Sequence, residues 1–419
     1  MIMNDILMKK IFHFLTLFGS ILILFSCKAH KDNFADKISD SKTFVLDQQY
    51  PWVEINLEKA VEISLVEYAN FVIEKKYVYL ESNELIGNID ELVIFKDKIY
   101  ILDNSVKERI FIFDLTGKLI KIIDNQGRGP REYIGLSHIS IDSLNNELLA
   151  NDRLQTGIIH YTLDGDYIAK TNSFPCSQFA LFGKRQINRM YFGQSFNNDV
   201  NYEIILADKD SVIRSGFPMN DFQRTIGVSR SSFAKNSQGQ LLFTPIGSDT
   251  VYQFLSDSSL RVRYVIKQKK SLWSSFANEQ ISRENLRNLY INDSYTSFSG
   301  EIYETNKFVS LLINEGSVDN NHVLKRNYFL DKISNKLYRI NPNKYIGKLE
   351  TPFLVEVPPL PLTTYGDFFV GQWDVTMATQ IKKATLNYEN PKKIGSKDLD
   401  SLIKNYPENG NPILCFFKY

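Results

Sequence analysis

The sequence is poor in the residues that most often carry chemistry, with three cysteines and five scattered histidines among 419 residues. No cluster with metal-ligand spacing exists, so no metal is expected. A nucleophile elbow, a phosphate-binding loop and a dinucleotide fingerprint are also missing, so no cofactor is expected. Charge of one sign is not in excess: 49 Lys and Arg face 48 Asp and Glu, for a net charge of +1. That balance gives no electrostatic case for a nucleic-acid partner. Beyond the first 25 residues no apolar run is long enough to cross a membrane. What is abundant is apolar and aromatic material, 43% and 13% of the chain, including 22 tyrosines and 29 phenylalanines. Such residues fill a large core and favour strands.

The N-terminus reads as an address. Met8, Lys9 and Lys10 precede an apolar run from Ile11 to Phe25, followed by Ser26 and Cys27. A positive region, an apolar region and a small residue before a cleavage point make a secretory signal. The run falls short of the ~20 residues of a comfortable span, though an uncleaved anchor is the alternative reading. Leu24, Phe25, Ser26 and Cys27 resemble a lipobox, in which the Cys27 thiol takes a diacylglycerol. Asp5 is unusual in a positive region, which suggests translation from Met8. The expected organisation is a signal peptide over 1–26, a lipidated polar tether over 27–50 and a folded body over 51–419. Membrane attachment is then through lipid, at the outer membrane. Lys31 and Asp32 partly match an outward-sorting signal, so periplasmic and surface-exposed positions both stay open. Cys176 and Cys415 are expected as buried free thiols, with a bridge between them as the alternative.

The body repeats. Glu91–Phe95, Lys98–Asp103, Arg109–Asp114 and Lys118–Asp124 are four short apolar runs separated by turn residues. Ser137–Asp142, Glu147–Asp152, Gly157–Tyr161 and Asp166–Lys170 follow the same plan, with Asp103 matching Asp152, Phe113 matching Tyr161 and Gly117 matching Gly165. Each unit is a four-stranded antiparallel meander, and Gly117 and Gly165 supply the positive φ of a tight hairpin. A sheet apolar on both faces must stack on neighbours, and repetition about an axis makes a propeller. Later units are more divergent. Phe179–Phe192 with Tyr202–Ala207 reads as a third. Gln240–Phe243, Asp249–Phe254 and Arg261–Ile266 form a fourth, and Glu301–Ile313, Tyr328–Asp331 and Lys336–Ile340 a fifth. Asp367–Gly371 opens a sixth, and Pro412–Lys418 is expected to pair near Phe71–Glu81, closing the ring. At roughly 50 residues per blade the chain holds six or seven blades, and six fits better. The expected fold is therefore all-β, a six-bladed propeller with short helical insertions. The insertions are Phe276–Tyr290 and a segment with Leu399, Leu402, Ile403 and Tyr406 behind Asp398 as N-cap.

The stretch Gly127, Arg128, Gly129, Pro130, Arg131, Glu132, Tyr133 follows the first meander, and Glu408 to Pro412 lies near the C-terminus. With Ile-Tyr-Ile-Leu-Asp ending at Asp103, these segments resemble a family of bacterial six-bladed β-propeller lipoproteins related to NHL-repeat proteins. The resemblance spans residues 50–419 and is sharpest over 88–170. It implies fold and export more than chemistry.

In a meander blade the second hairpin loop and the crossover to the next blade open on one face. Those loops bring together Lys107, Arg128, Arg131, Glu132, Tyr133 and Arg153 as candidate ligand-binding residues. Arginine grips carboxylates or sulfates, and tyrosine offers a flat face to a sugar. The competing reading is structural: two glycines permit a tight crossover, while Arg131 and Glu132 tie blades together. Positive φ at Gly129 is expected if the loop needs it. Asp103 and Asp152 recur at one blade position, which points to capping of loop amides, with a calcium site as the alternative. His138 and His160 read as packed or edge residues, and His322 as solvated. Trp273 and Trp373 belong to core or rim. No catalytic residue is assigned. The expected function is a monomeric, non-enzymatic binding or scaffold propeller on the cell envelope, for a glycan, peptide or protein. The alternative is a propeller hydrolase or lyase acting on an exported substrate, with a channel-bound metal.

Overall fold

Six sheets stand around one axis. The computed structural model describes residues 41–190, 202–208, 211–220, 223, 232–276, 281–317, 322–341, 357–386, 397–407 and 410–419; Cys27 and the expected signal peptide lie outside them. Blade 1 holds Glu91–Phe95, Lys98–Asp103, Arg109–Asp114 and Leu119–Ile123, paired antiparallel in chain order. Blade 2 repeats this with Leu136–Asp142, Glu147–Asp152, Gly157–Thr162 and Tyr167–Asn172. Ile99 to Leu102 and Ile110 to Phe113 are buried at every residue, because neighbouring blades cover both faces of the middle strands. Gly117 and Gly165 have φ of 92° and 87°. A side chain at Gly117 would also strike the Tyr79 carbonyl, 1.9 Å from an added Cβ.

Blade 3 is built on Cys176–Phe182, Arg185–Met190, Tyr202–Asp208 and Ser211–Pro218. Blade 4 has Phe233–Lys235 as its innermost strand, then Leu241–Phe243, Thr250–Phe254 and Ser259–Lys267. That three-residue inner strand was too short to read from the sequence. Blade 5 contains Thr296–Glu304, Phe308–Ser317, His322–Asp331 and Lys336–Ile340. Blade 6 joins Pro361–Tyr365, Phe368–Trp373 and Ile413–Lys418 to Glu74–Tyr79 from the other end of the chain. The last strand pairs within the Phe71–Glu81 stretch, as expected, with a register that runs from Ile413 opposite Tyr79 to Lys418 opposite Glu74.

Before it reaches blade 6 the chain forms a strap around the outside of three blades. Lys42–Thr43 pairs in parallel with the edge of blade 3, Val45–Leu46 and Val53–Asn56 with blade 4, and Val61–Ile63 with blade 5. Phe44 bridges the first two blades, edge-on to Phe254 at 5.7 Å and against the bare backbone of Gly216. This corrects the expected tether, since residues 42–46 belong to the folded body. Strands of two residues show no alternation, and here the blade edges supply the order. Covering those edges also removes open pairing sites.

The helix Arg283–Ile291 lies in the first expected insertion, capped by Ser282, whose hydroxyl accepts from Asn285 N at 3.2 Å. In the second, Lys397–Asn405 places Asp398 inside the helix rather than at its cap. Val375–Leu386, not foreseen, starts behind Asp374, which accepts from Met377 N at 2.7 Å. Both helices of this insertion pack into a core around Tyr68, Trp373 and Tyr419. Cys176 and Cys415 are free and buried.

Candidate functional site

The crossover from blade 1 to blade 2 is a tight loop stitched by its own backbone. Gly127 N donates to Tyr133 O at 2.8 Å and Tyr133 N to Asn125 O at 3.1 Å. Inside it, Gly129 N donates to the Glu132 carboxylate at 2.7 Å. Gly127 and Gly129 do not have positive φ; the Glu132 carboxylate fills the space a side chain at either would need. Tyr133 is fully buried, and its hydroxyl donates to Glu108 O at 2.6 Å. Burial pushes that phenol's pKa up. Glu132 and Tyr133 are therefore committed to holding the loop, and Tyr133 has no face to offer a sugar.

The remaining four expected site residues, Lys107, Arg128, Arg131 and Arg153, are exposed on this loop and the two flanking it. Arg131 lies over the Tyr167 ring at 5.5 Å. The loops are held from below by Asp103 and Asp152. Asp103 accepts from Gly87 N at 2.6 Å and from Val106 N and Lys107 N at 3.2 Å. Asp152 accepts from Ile134 N at 3.2 Å, Gly135 N at 3.3 Å and Lys170 Nζ at 3.1 Å. Repetition of this carboxylate thus reflects amide capping.

The inner strands of all six blades enclose a central channel with a cavity of ≈ 250 Å³. On its wall Glu91 reaches one repeat ahead, accepting from Ile139 N at 2.8 Å and holding His138 Nδ1 at 2.7 Å. His138 Nε2 lies 2.7 Å from Phe179 O in blade 3. Burial works against the charged ring, but Glu91 and the Phe179 carbonyl outweigh it and raise the pKa. Acceptors beside both nitrogens favour the doubly protonated imidazole, which ties three blades together. His160 is similarly engaged, by Glu147 at 2.8 Å and Thr171 at 3.0 Å, and His322 is exposed at a strand start. Trp273 and Trp373 are buried, the former donating to Phe298 O at 2.9 Å. Among the described residues no group of three or more His, Cys, Asp or Glu could hold a metal.

Sequence reading missed the Glu91–His138 pair and the buried pair of Arg189 and Glu203, 3.2 Å apart in blade 3. The first had a signal: its partners are 47 residues apart, one repeat length. Residues 53–418 match a family described as Domain of unknown function (DUF4934). The chain belongs to that family. This DUF4934 chain is similar in structure to a Bacteroides fragilis NCTC 9343 protein described as a candidate exported protein. The TM-score is 0.68 at 16% identity, covering 88% of this chain and 99% of that one. That likeness shows a shared fold. A member of the duf4221 family from Bacteroides vulgatus aligns at TM-score 0.48 and 11% identity, over 83% of this chain and 96% of that one. A catalytically inactive virginiamycin B lyase from Staphylococcus aureus aligns at TM-score 0.34 and 14% identity, over 65% and 88%. No curated protein matches the DUF4934 chain. Among the described residues no helix is long and apolar enough to cross a membrane.

Proposed function

We propose that this chain is a cell-envelope lipoprotein whose propeller binds an acidic glycan, peptide or protein segment without converting it. The observation that carries this reading is the state of His138: both its nitrogens are occupied by acceptors, so the channel-wall histidine is no free base. A general base needs an accessible lone pair. Binding is assigned to Lys107, Arg128, Arg131 and Arg153, exposed cations on loops held by rigid blades. Cys27 is the proposed lipid attachment. The Bacteroides fragilis protein that shares the fold is described as a candidate exported protein, in agreement with this location.

The test is an array of acidic and neutral glycans and peptides, probed with the wild type and a variant carrying Glu at all four positions. Selective capture of acidic ligands, lost on charge reversal, supports the reading. Identical profiles for the two proteins, or turnover of a captured ligand, overturn it. Separately, Cys27→Ala should release the protein from membranes, and unchanged retention counts against the lipid anchor.

A further inference from the structure

The charges on the channel wall match in number but are not all paired with one another. Asp90 accepts from Asn104 N at 2.9 Å and from the Ser105 amide and hydroxyl at 2.8 Å. Glu91 is matched by His138, and Glu301 by Lys325. Lys235, at the end of the blade 4 inner strand, lines the same channel, and its ammonium makes no ion pair or hydrogen bond among the described residues. Asp142, the charged group that acts on it, spends its carboxylate on Leu144 N at 2.9 Å, Asn145 N at 3.1 Å and Asn145 Nδ2 at 2.7 Å.

The rest of the wall is largely apolar, including Val93, Phe179 and Leu362. Ligand pockets commonly have this composition, an apolar lining with a few polar groups that fix orientation. An apolar cavity of about 150 Å³ accommodates a benzene molecule; the ≈ 250 Å³ here takes a larger apolar body. A cation at one side of such a cavity is matched by a ligand with a single anionic group.

We propose that the channel is a binding site for a small amphipathic acid, with its apolar body in the cavity and its carboxylate on the Lys235 ammonium. Lys235 is exposed at the channel wall, where partial desolvation works against the charged amine and lowers its pKa, and a bound carboxylate relieves that cost. This site is separate from the exposed cationic loops of the proposed function.

The experiment is calorimetric titration of the full chain with 1-naphthylacetate and with its neutral analogue, 1-naphthylacetamide. The wild type should bind one equivalent of the acid about ten-fold more tightly than the amide. Lys235→Met should abolish that preference while still binding the amide, which also reports an intact cavity. Ser140→Trp, which fills the channel from the blade 2 inner strand, should abolish binding of both with the circular dichroism unchanged. The proposal is overturned by the absence of saturable one-site binding in the wild type. Retention of the acid preference in Lys235→Met overturns it equally, and so does wild-type affinity in Ser140→Trp.

Discussion

The phenol of Tyr419 donates to the phenol of Tyr68 at 2.6 Å, joining the last residue of the chain to a short helix near its start. Asn327 from blade 5 donates to the same Tyr68 oxygen at 3.3 Å. Phe308, Phe329 and Phe369 surround the Tyr419 ring at centroid distances of 5.7, 4.6 and 5.5 Å. Tyr419→Phe should cost about 1 kcal/mol, the loss of one hydrogen bond, and Tyr419→Ala about 3–5 kcal/mol, both read from urea unfolding. Burial raises both phenol pKa values, so the folded state keeps protons that unfolded phenols lose near pH 10. Stability from this pair is therefore full below about pH 10 and falls above it. Absorbance titration of tyrosinate should show these two phenols ionising only with unfolding.

A second pH effect comes from His138. Its pKa is raised in the fold, so its contribution is complete below the unfolded value of about 6.5 and is lost as pH rises through the folded value. Urea midpoints of the wild type and His138→Leu should differ more at pH 6 than at pH 9. Equal differences at the two pH values would show that the ring is not charged in the fold.

The Arg189–Glu203 pair is fully buried, and Glu203 also accepts from Ile246 N at 2.9 Å. Arg189→Met leaves a carboxylate buried without its cation and should cost about 3–5 kcal/mol. Adding Glu203→Gln should recover part of that loss, because a neutral amide can still accept from Ile246 N. A double-mutant cycle should give a coupling of about 1–3 kcal/mol, and additive single effects would refute the pairing.

Crowding by Glu132 in the crossover makes a prediction of order. An added Cβ comes within 2.0 Å of the Glu132 carboxylate at Gly127 but 3.0 Å at Gly129. Gly127→Ala should therefore be the more destabilising, by about 1–2 kcal/mol as the Glu132–Gly129 bond breaks. In a Glu132→Ala background the two substitutions should cost nearly the same. Thermal melts of the five variants decide this.

The propeller was legible where the repeat is sharp. Asp103 and Asp152 mark the same strand end, and Gly117 and Gly165 the same turn, because each blade must solve the same backbone problem. The strap was not legible, since Lys42–Thr43 and Val45–Leu46 take their conformation from the edges they cover. The helix Val375–Leu386 was hidden by β-branched residues and an interrupted apolar stripe. Among the site residues, the sequence placed Lys107, Arg128, Arg131 and Arg153 on neighbouring exposed loops. It could not show that Tyr133 turns inward, because an aromatic residue in a loop reads the same whether it faces solvent or core. Lys235 went unnoticed for a related reason: its isolation depends on what every other blade places opposite it.

Ring closure through Glu74–Tyr79 and Ile413–Lys418 has a consequence for the order of assembly. A chain made from its N-terminus produces the strap first, yet Val53–Asn56 and Val61–Ile63 have no edges to join until blades 4 and 5 exist. Contacts this distant in sequence are slow to form. The earliest residues of the folded body are thus among the last to be seated, and until the final strand arrives the ring stands open at blade 6.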